Sequence, residues 1–76
     1  MQKLKKISGR ECVKILCNRF GFEFRRQKGS HIVLRKEKEN GFIGTVVPNH
    51  KELKIGTLKG ILKLARVNED DFAECQ

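Results

Sequence analysis

Apolar residues recur along this chain first at helical spacing, then in alternation, then at helical spacing again. Cys12, Val13, Leu16 and Phe20 fall on one face of a helix, with Arg10, Lys14 and Asn18 opposite. Ser8-Gly9-Arg10-Glu11 opens that helix as a capping box, and Ile7 and Cys12 flank it as a hydrophobic staple. Gly21 closes it with a left-handed residue, and Phe22 folds back onto it. Ahead of the cap, Met1 to Lys6 is a basic lead-in, in which Leu4 and Ile7 either begin an edge strand or pin the terminus.

The pattern then alternates. Residues 22–27 read as a strand, with Phe22 and Phe24 inward and Glu23 and Arg25 outward. A second strand runs from about His31 to Lys36. Its Ile32 and Leu34 share one face, and His31, Val33 and Arg35 share the other. Residues 37–41 are polar and contain an Asn-Gly turn signal. The β-branched stretch 42–47 reads as a third strand, which Pro48 ends by removing a donor. Residues 49–55 form a polar loop carrying His50, and a helix starts near Gly56-Thr57 with the threonine as cap. Leu58, Ile61, Leu62 and Ala65 make its apolar stripe, opposite Lys59, Lys63 and Arg66. Asn68 caps one short closing turn in which Phe72 packs.

This order predicts an α+β fold, a two-layer α-β-β-β-α sandwich with a three-stranded antiparallel sheet. Both helices cover one sheet face. The face carrying His31 stays open to a ligand.

Composition narrows the partner. The chain has 76 residues, enough for one domain that buries roughly 60–65% of its unfolded surface. No apolar run is long enough to span a membrane, and none resembles a secretory signal, so the expected protein is soluble and cytoplasmic. Cys12, Cys17 and Cys75 are an odd set at no metal-ligand spacing and read as free thiols. The formal net charge is +8. Residues 1–66 hold all 17 basic residues and five acids, whereas residues 67–76 hold four acids and no base. A basic body of this kind points to an anionic partner, most simply nucleic acid, although lysine-rich surfaces also serve solubility alone.

The candidate chemistry gathers at Gln27-Lys28-Gly29-Ser30-His31. Gly29 takes a positive φ without steric cost and Ser30 suits a turn, so this stretch reads as a tight reversal between two strands. His31 then stands at the mouth of the hairpin, with Lys28, Arg26 and Arg25 close by. An imidazole that exchanges a proton near neutral pH, set among fixed cations, suits a phosphodiester: the cations hold the phosphate and the histidine moves the proton. Ser30 supports the turn rather than acting as a nucleophile, since no acidic partner for a triad is evident. His50 is a secondary candidate, as proton donor to a leaving group or simply as a loop-bonding residue. The carboxylates are scattered and form no acid–base pair, and no metal or other cofactor is expected. A non-catalytic RNA-binding module would share the charge and the fold without needing His31. A DNA-binding adaptor fits less well, because no helix-turn-helix pattern occurs.

Four pieces in order carry a resemblance across about Ser8 to Phe72: Gly21-Phe22, Arg26-Gln27-Lys28-Gly29-Ser30-His31, Val47-Pro48-Asn49-His50, and Gly56-Thr57-Leu58 with Ile61-Leu62-Lys63. Together they resemble the HicA family of toxin ribonucleases. The resemblance implies a fold like a double-stranded-RNA-binding domain and residues 1–76 as a single RNA-cleaving domain. It also implies cleavage of messenger RNA, growth arrest, and neutralisation by a HicB-like antitoxin. The family's catalytic histidine falls on His31. The expected mechanism needs no metal: neutral His31 takes a proton from a ribose 2′-hydroxyl, whose oxygen attacks the adjacent phosphorus. Arg26 and Lys28 are the expected phosphate holders, with Arg25 and Ser30 beside them on the RNA. The free toxin is expected to be a monomer, and the antitoxin to occlude the site. Arg66 follows Ala65 where the family commonly has glycine, which leaves open how the last long helix ends.

Overall fold

A computed structural model describes residues 3–76; Met1 and Gln2, the start of the basic lead-in, lie outside the described residues. The elements are α1 (Gly9–Arg19), β1 (Glu23–Lys28), β2 (His31–Lys38), β3 (Gly41–Pro48), α2 (Ile55–Ala65) and α3 (Glu69–Glu74). The strands form one antiparallel sheet in the order β1-β2-β3. The fold is therefore the expected α+β arrangement with an open three-stranded sheet, and the closing turn is long enough to form α3.

Register decides which side chains the helices cover. Ile32 pairs with Val47 and Leu34 with Thr45, and all four are buried. They meet Cys12 and Leu16 of α1 and Leu58, Ile61 and Leu62 of α2 in one core. Thr45 is the buried polar member, and its Oγ1 donates 2.9 Å to the Ile61 carbonyl, which removes the cost of burying an unpaired hydroxyl. Phe72 is fully buried and stacks on Phe20 with centroids 6.1 Å apart, so α3 closes the end of the core beside α1.

The caps follow the local sequence at α1 and depart from it at α2. Ser8 accepts from the Glu11 N–H at 3.0 Å, and beyond α1 Gly21 takes φ 76° so that the Phe22 N–H reaches the Leu16 carbonyl at 3.1 Å. α2 begins at Ile55 with Lys54 as its cap and no side-chain hydrogen bond. Thr57 lies inside the first turn, not at the cap: Leu53, just ahead of the helix, and Leu58, in its first turn, are both buried in the core and fix where the chain turns. α2 ends on Arg66 in the left-handed conformation, φ 56° and ψ 39°, its N–H returning to the Leu62 and Lys63 carbonyls. Arginine thus occupies a conformation that favours glycine. Asn68 caps α3 through the Asp70 and Asp71 N–H groups. Among the described residues of the lead-in there is no strand. Ile7 accepts from the Leu53 N–H, and Lys5 exchanges hydrogen bonds with the Gln76 side chain, so the terminus is pinned.

The main departure is in β1. Phe24 pairs with Leu34, but Arg26 pairs with Val33, so Arg25 is an extra residue bulged out of the ladder. Phe24 lies opposite the buried Leu34, on the helix side of the sheet, yet it is 55% exposed and does not join the core. It sits on the edge strand next to the bulge, where no helix covers it. Phe22, just ahead of β1, is the phenylalanine that joins the core.

Candidate active site

The hairpin at Gly29-Ser30 forms as a two-residue loop. Gly29 takes φ 59° and Ser30 does not turn positive, a pattern of the II′ type that suits the right-handed twist of the flanking strands. Lys28 and His31 are its first paired residues. The Gln27 side chain braces the turn by donating 3.0 Å to the Gly29 carbonyl.

The bulge at Arg25 sets the site. Strict alternation from Phe24 would send Arg26 and Lys28 to the helix-covered face. One extra residue reverses the phase, so Arg26 comes opposite Val33 and Lys28 opposite His31. Both cations therefore share the open face with the imidazole. Directly opposed residues of an antiparallel pair have Cβ atoms about 4.5–5.5 Å apart, which puts Lys28 within side-chain reach of whatever His31 touches.

The other wall comes from β3 and the loop after it. His31 pairs with Pro48, and the Asn49 N–H donates 2.6 Å to the Ser30 carbonyl. The Gly9 N–H, at the start of α1, donates 2.8 Å to the His50 carbonyl. Gly9 is buried there, and a Cβ on it would overlap the Pro48 carbonyl oxygen. Thus α1, the β3–α2 loop and the β1–β2 turn are tied together behind His31. Backbone, rather than an acidic side chain, holds the histidine's strand in place.

His31 itself is exposed, as are Arg25, Arg26, Lys28 and Ser30. Among the described residues the ion pairs are Lys6–Glu52 at 3.9 Å and Arg35–Glu37 at 2.7 Å, so Arg25, Arg26 and Lys28 carry no acidic partner. Ser30 contributes its carbonyl to the Asn49 latch, as a turn residue does. His50 is exposed and borders a groove with Pro48, Glu52, Leu53, Lys54 and Thr57, a groove His31 does not line. Among the described residues no cluster of three or more potential metal ligands occurs, and no helix is long and apolar enough to cross a membrane. The cysteines are free thiols; burial pushes Cys12 up to about 12, and burial with the nearby Glu23 raises Cys17.

Sequence reading placed Arg35 on this face but left out Phe42, whose ring centroid lies 3.8 Å from the Arg35 guanidinium. Arg35 was legible from the alternation of β2. The pairing of Phe42 with Glu37 appears only in the register of β2 on β3.

The family described as HicA toxin of bacterial toxin-antitoxin matches residues 9–67, a span from the start of α1 to just past α2 that contains every residue of the open face. No curated protein sequence and no solved structure matches the chain. A match over most of the length, on a chain with the expected order of elements, makes the protein a member of the HicA toxin family of bacterial toxin–antitoxin systems.

Proposed function

We propose that this toxin is an endoribonuclease that cleaves messenger RNA without a metal, with His31 as general base, and so arrests translation and growth. The observation that carries the reading is the bulge-set pairing that brings Arg26 and Lys28 onto the face of His31. Arg26 and Lys28 hold the scissile phosphate and offset the charge that builds on its oxygens. Neutral His31 accepts the 2′-hydroxyl proton as that oxygen bonds to phosphorus. The bond from phosphorus to the 5′-oxygen of the next nucleotide breaks, and solvent supplies its proton on this open face. The products are a 2′,3′-cyclic phosphate and a free 5′-hydroxyl. Arg25 and Ser30 border the same strand of RNA, and His50 is a second proton donor if the substrate bends around Pro48.

In this reading the whole chain is one RNA-cleaving domain and works in the cytoplasm, where its substrate is. The partner is a HicB-like antitoxin that covers the open face. An acidic antitoxin surface would both be steered to Arg26 and Lys28 and block His31. The free toxin is a monomer.

Product analysis tests the chemistry. Purified protein with single-stranded RNA and excess chelator should give cyclic phosphate ends, and a 2′-deoxy ribose at the scissile position should block cleavage. A strict magnesium requirement, or 5′-phosphate products, would refute this mechanism. Binding with no cleavage at any pH would instead favour a non-catalytic RNA-binding module, which the unpaired cations alone would support.

A further inference from the structure

The open face continues past His31 to a feature that phosphate handling does not explain. Phe42 is 58% exposed, and no element of the fold covers it. Its ring is nevertheless held in place: the Arg35 guanidinium lies 3.8 Å from its centroid, and Arg35 Nε donates 2.7 Å to Glu37, the residue paired with Phe42. Gly44, opposite Arg35, carries no side chain where a Cβ would sit 3.9 Å from the ring edge. The result is a shallow depression of 420 Å³ lined by Arg25, Arg26, Val33, Arg35, Phe42 and Gly44.

We propose that this depression is a subsite for one unpaired nucleobase, stacked on the Phe42–Arg35 pair, with Arg25 on a flanking phosphate and Arg26 at the border towards the scissile phosphate. The inference rests on the ribonuclease reading for its substrate class and adds a requirement for single-stranded RNA. Three features favour this occupant. Aromatic rings and guanidinium planes are the usual stacking partners of splayed bases. Three arginines around one ring match the alternation of base and phosphate along a strand. The side-chain-free position at Gly44 leaves room for a flat group to approach the ring. An acidic peptide would satisfy the arginines but has no need of the flat opening. A duplex cannot use the ring, because its bases are already stacked and paired.

Arg35 lies four residues along β2 from His31, about 13 Å at the rise of a strand. The stacked base is therefore more than one nucleotide from the phosphate at His31. RNA would lie along β2, its reacting linkage at the hairpin and its anchoring base near the opposite end of the sheet.

Fluorescence anisotropy with 2′-O-methyl RNA, which lacks the attacking hydroxyl, reads binding apart from cleavage. Phe42→Leu should bind an unpaired ten-nucleotide strand roughly 5- to 150-fold more weakly than the wild type, the range for losing one stacked base. Phe42→Trp should bind at least as tightly as wild type, and the affinity of each for a duplex should be equal. An abasic site moved along the strand should reproduce the loss at one position in the wild type, and cause no further loss there in Phe42→Leu. Unchanged single-strand binding by Phe42→Leu, or equal losses on duplex and single strand, would overturn the proposal. So would a Phe42→Leu effect confined to antitoxin binding, which would make the ring a protein contact. If RNA is bound as described but never cleaved, the ribonuclease reading fails and the subsite stands. If RNA is cleaved and Phe42→Leu binds it normally, the reverse holds.

Discussion

Replacing glycine by alanine within a helix ordinarily stabilises it by about 0.5–1 kcal/mol. At Gly9 the sign should reverse. The added Cβ would overlap the Pro48 carbonyl oxygen and stand 3.0 Å from its carbon and 3.1 Å from the Asn49 Cα. All three atoms are backbone, and none is free to swing away. Pro48 is paired with His31, Asn49 is bonded to Ser30, and His50 accepts from Gly9 itself. Overpacking of this kind costs about 1–3 kcal/mol, and prising the helix off the loop removes the Gly9–His50 hydrogen bond, worth about 1 kcal/mol net. Against the propensity gain, Gly9→Ala should lose about 2 kcal/mol. That is a large part of the roughly 4–11 kcal/mol expected of a chain this long. The melting temperature should fall by about 8–16 °C. Gly60, exposed in α2 with nothing within 4 Å of its Cβ position, is the control. Gly60→Ala should gain about 0.5–1 kcal/mol. Urea titrations and thermal melts of the two variants should therefore move in opposite directions from wild type. A Gly9→Ala protein as stable as wild type would mean that the backbone behind His31 is not tightly latched.

Arg66→Gly should stabilise by about 0.5–1 kcal/mol, because relief of a left-handed arginine, about 1–2 kcal/mol, exceeds the extra freedom glycine has when unfolded; Arg66→Ala should show no gain in the same melts. Burial raises Cys12 from 9.0 to about 12, so the folded form holds the thiol proton longer than the unfolded chain does. Its contribution is fully present below about pH 9 and is lost as pH climbs towards 12, by up to about 1.4 kcal/mol per unit. Urea stability measured against pH should show that decline in wild type and a shallower one in Cys12→Ala. Replacing Arg26 or Lys28 by serine should slow RNA cleavage more than replacing Lys59 or Lys63, which lie on α2 and not on the open face; equal effects at all four would leave only diffuse attraction, read from the salt dependence of the rate.

The elements were legible because each carried a local signal. The capping serine at α1, the left-handed Gly21, the Gly29 reversal and the apolar stripe of α2 all act within a few residues, and all lie where the sequence puts them. Arg25 carried no such signal. A bulge is set by how two strands match over their whole length, so alternation read from β1 alone left the phase of Arg26 and Lys28 uncertain. Phe42 was hidden for a related reason: its neighbours on the open face belong to β2, and only register joins them. Thr57 misled in the opposite way. A good capping residue was outcompeted by the packing of Leu53 and Leu58 on either side of the helix start, which lies two residues before it. His31 and its cations were legible as a cluster because the tight turn brings residues close in sequence close in space.

The central claim is that an exposed imidazole at the mouth of the hairpin moves the proton. The direct measurement is the rate of RNA cleavage by His31→Ala beside wild type, in chelator, with thermal melts of both. His31 is exposed, so the variant should melt within a few degrees of wild type. Loss of cyclic phosphate products from a fully folded His31→Ala is the predicted result. Cleavage by that variant at near the wild-type rate would contradict the account and move the base elsewhere.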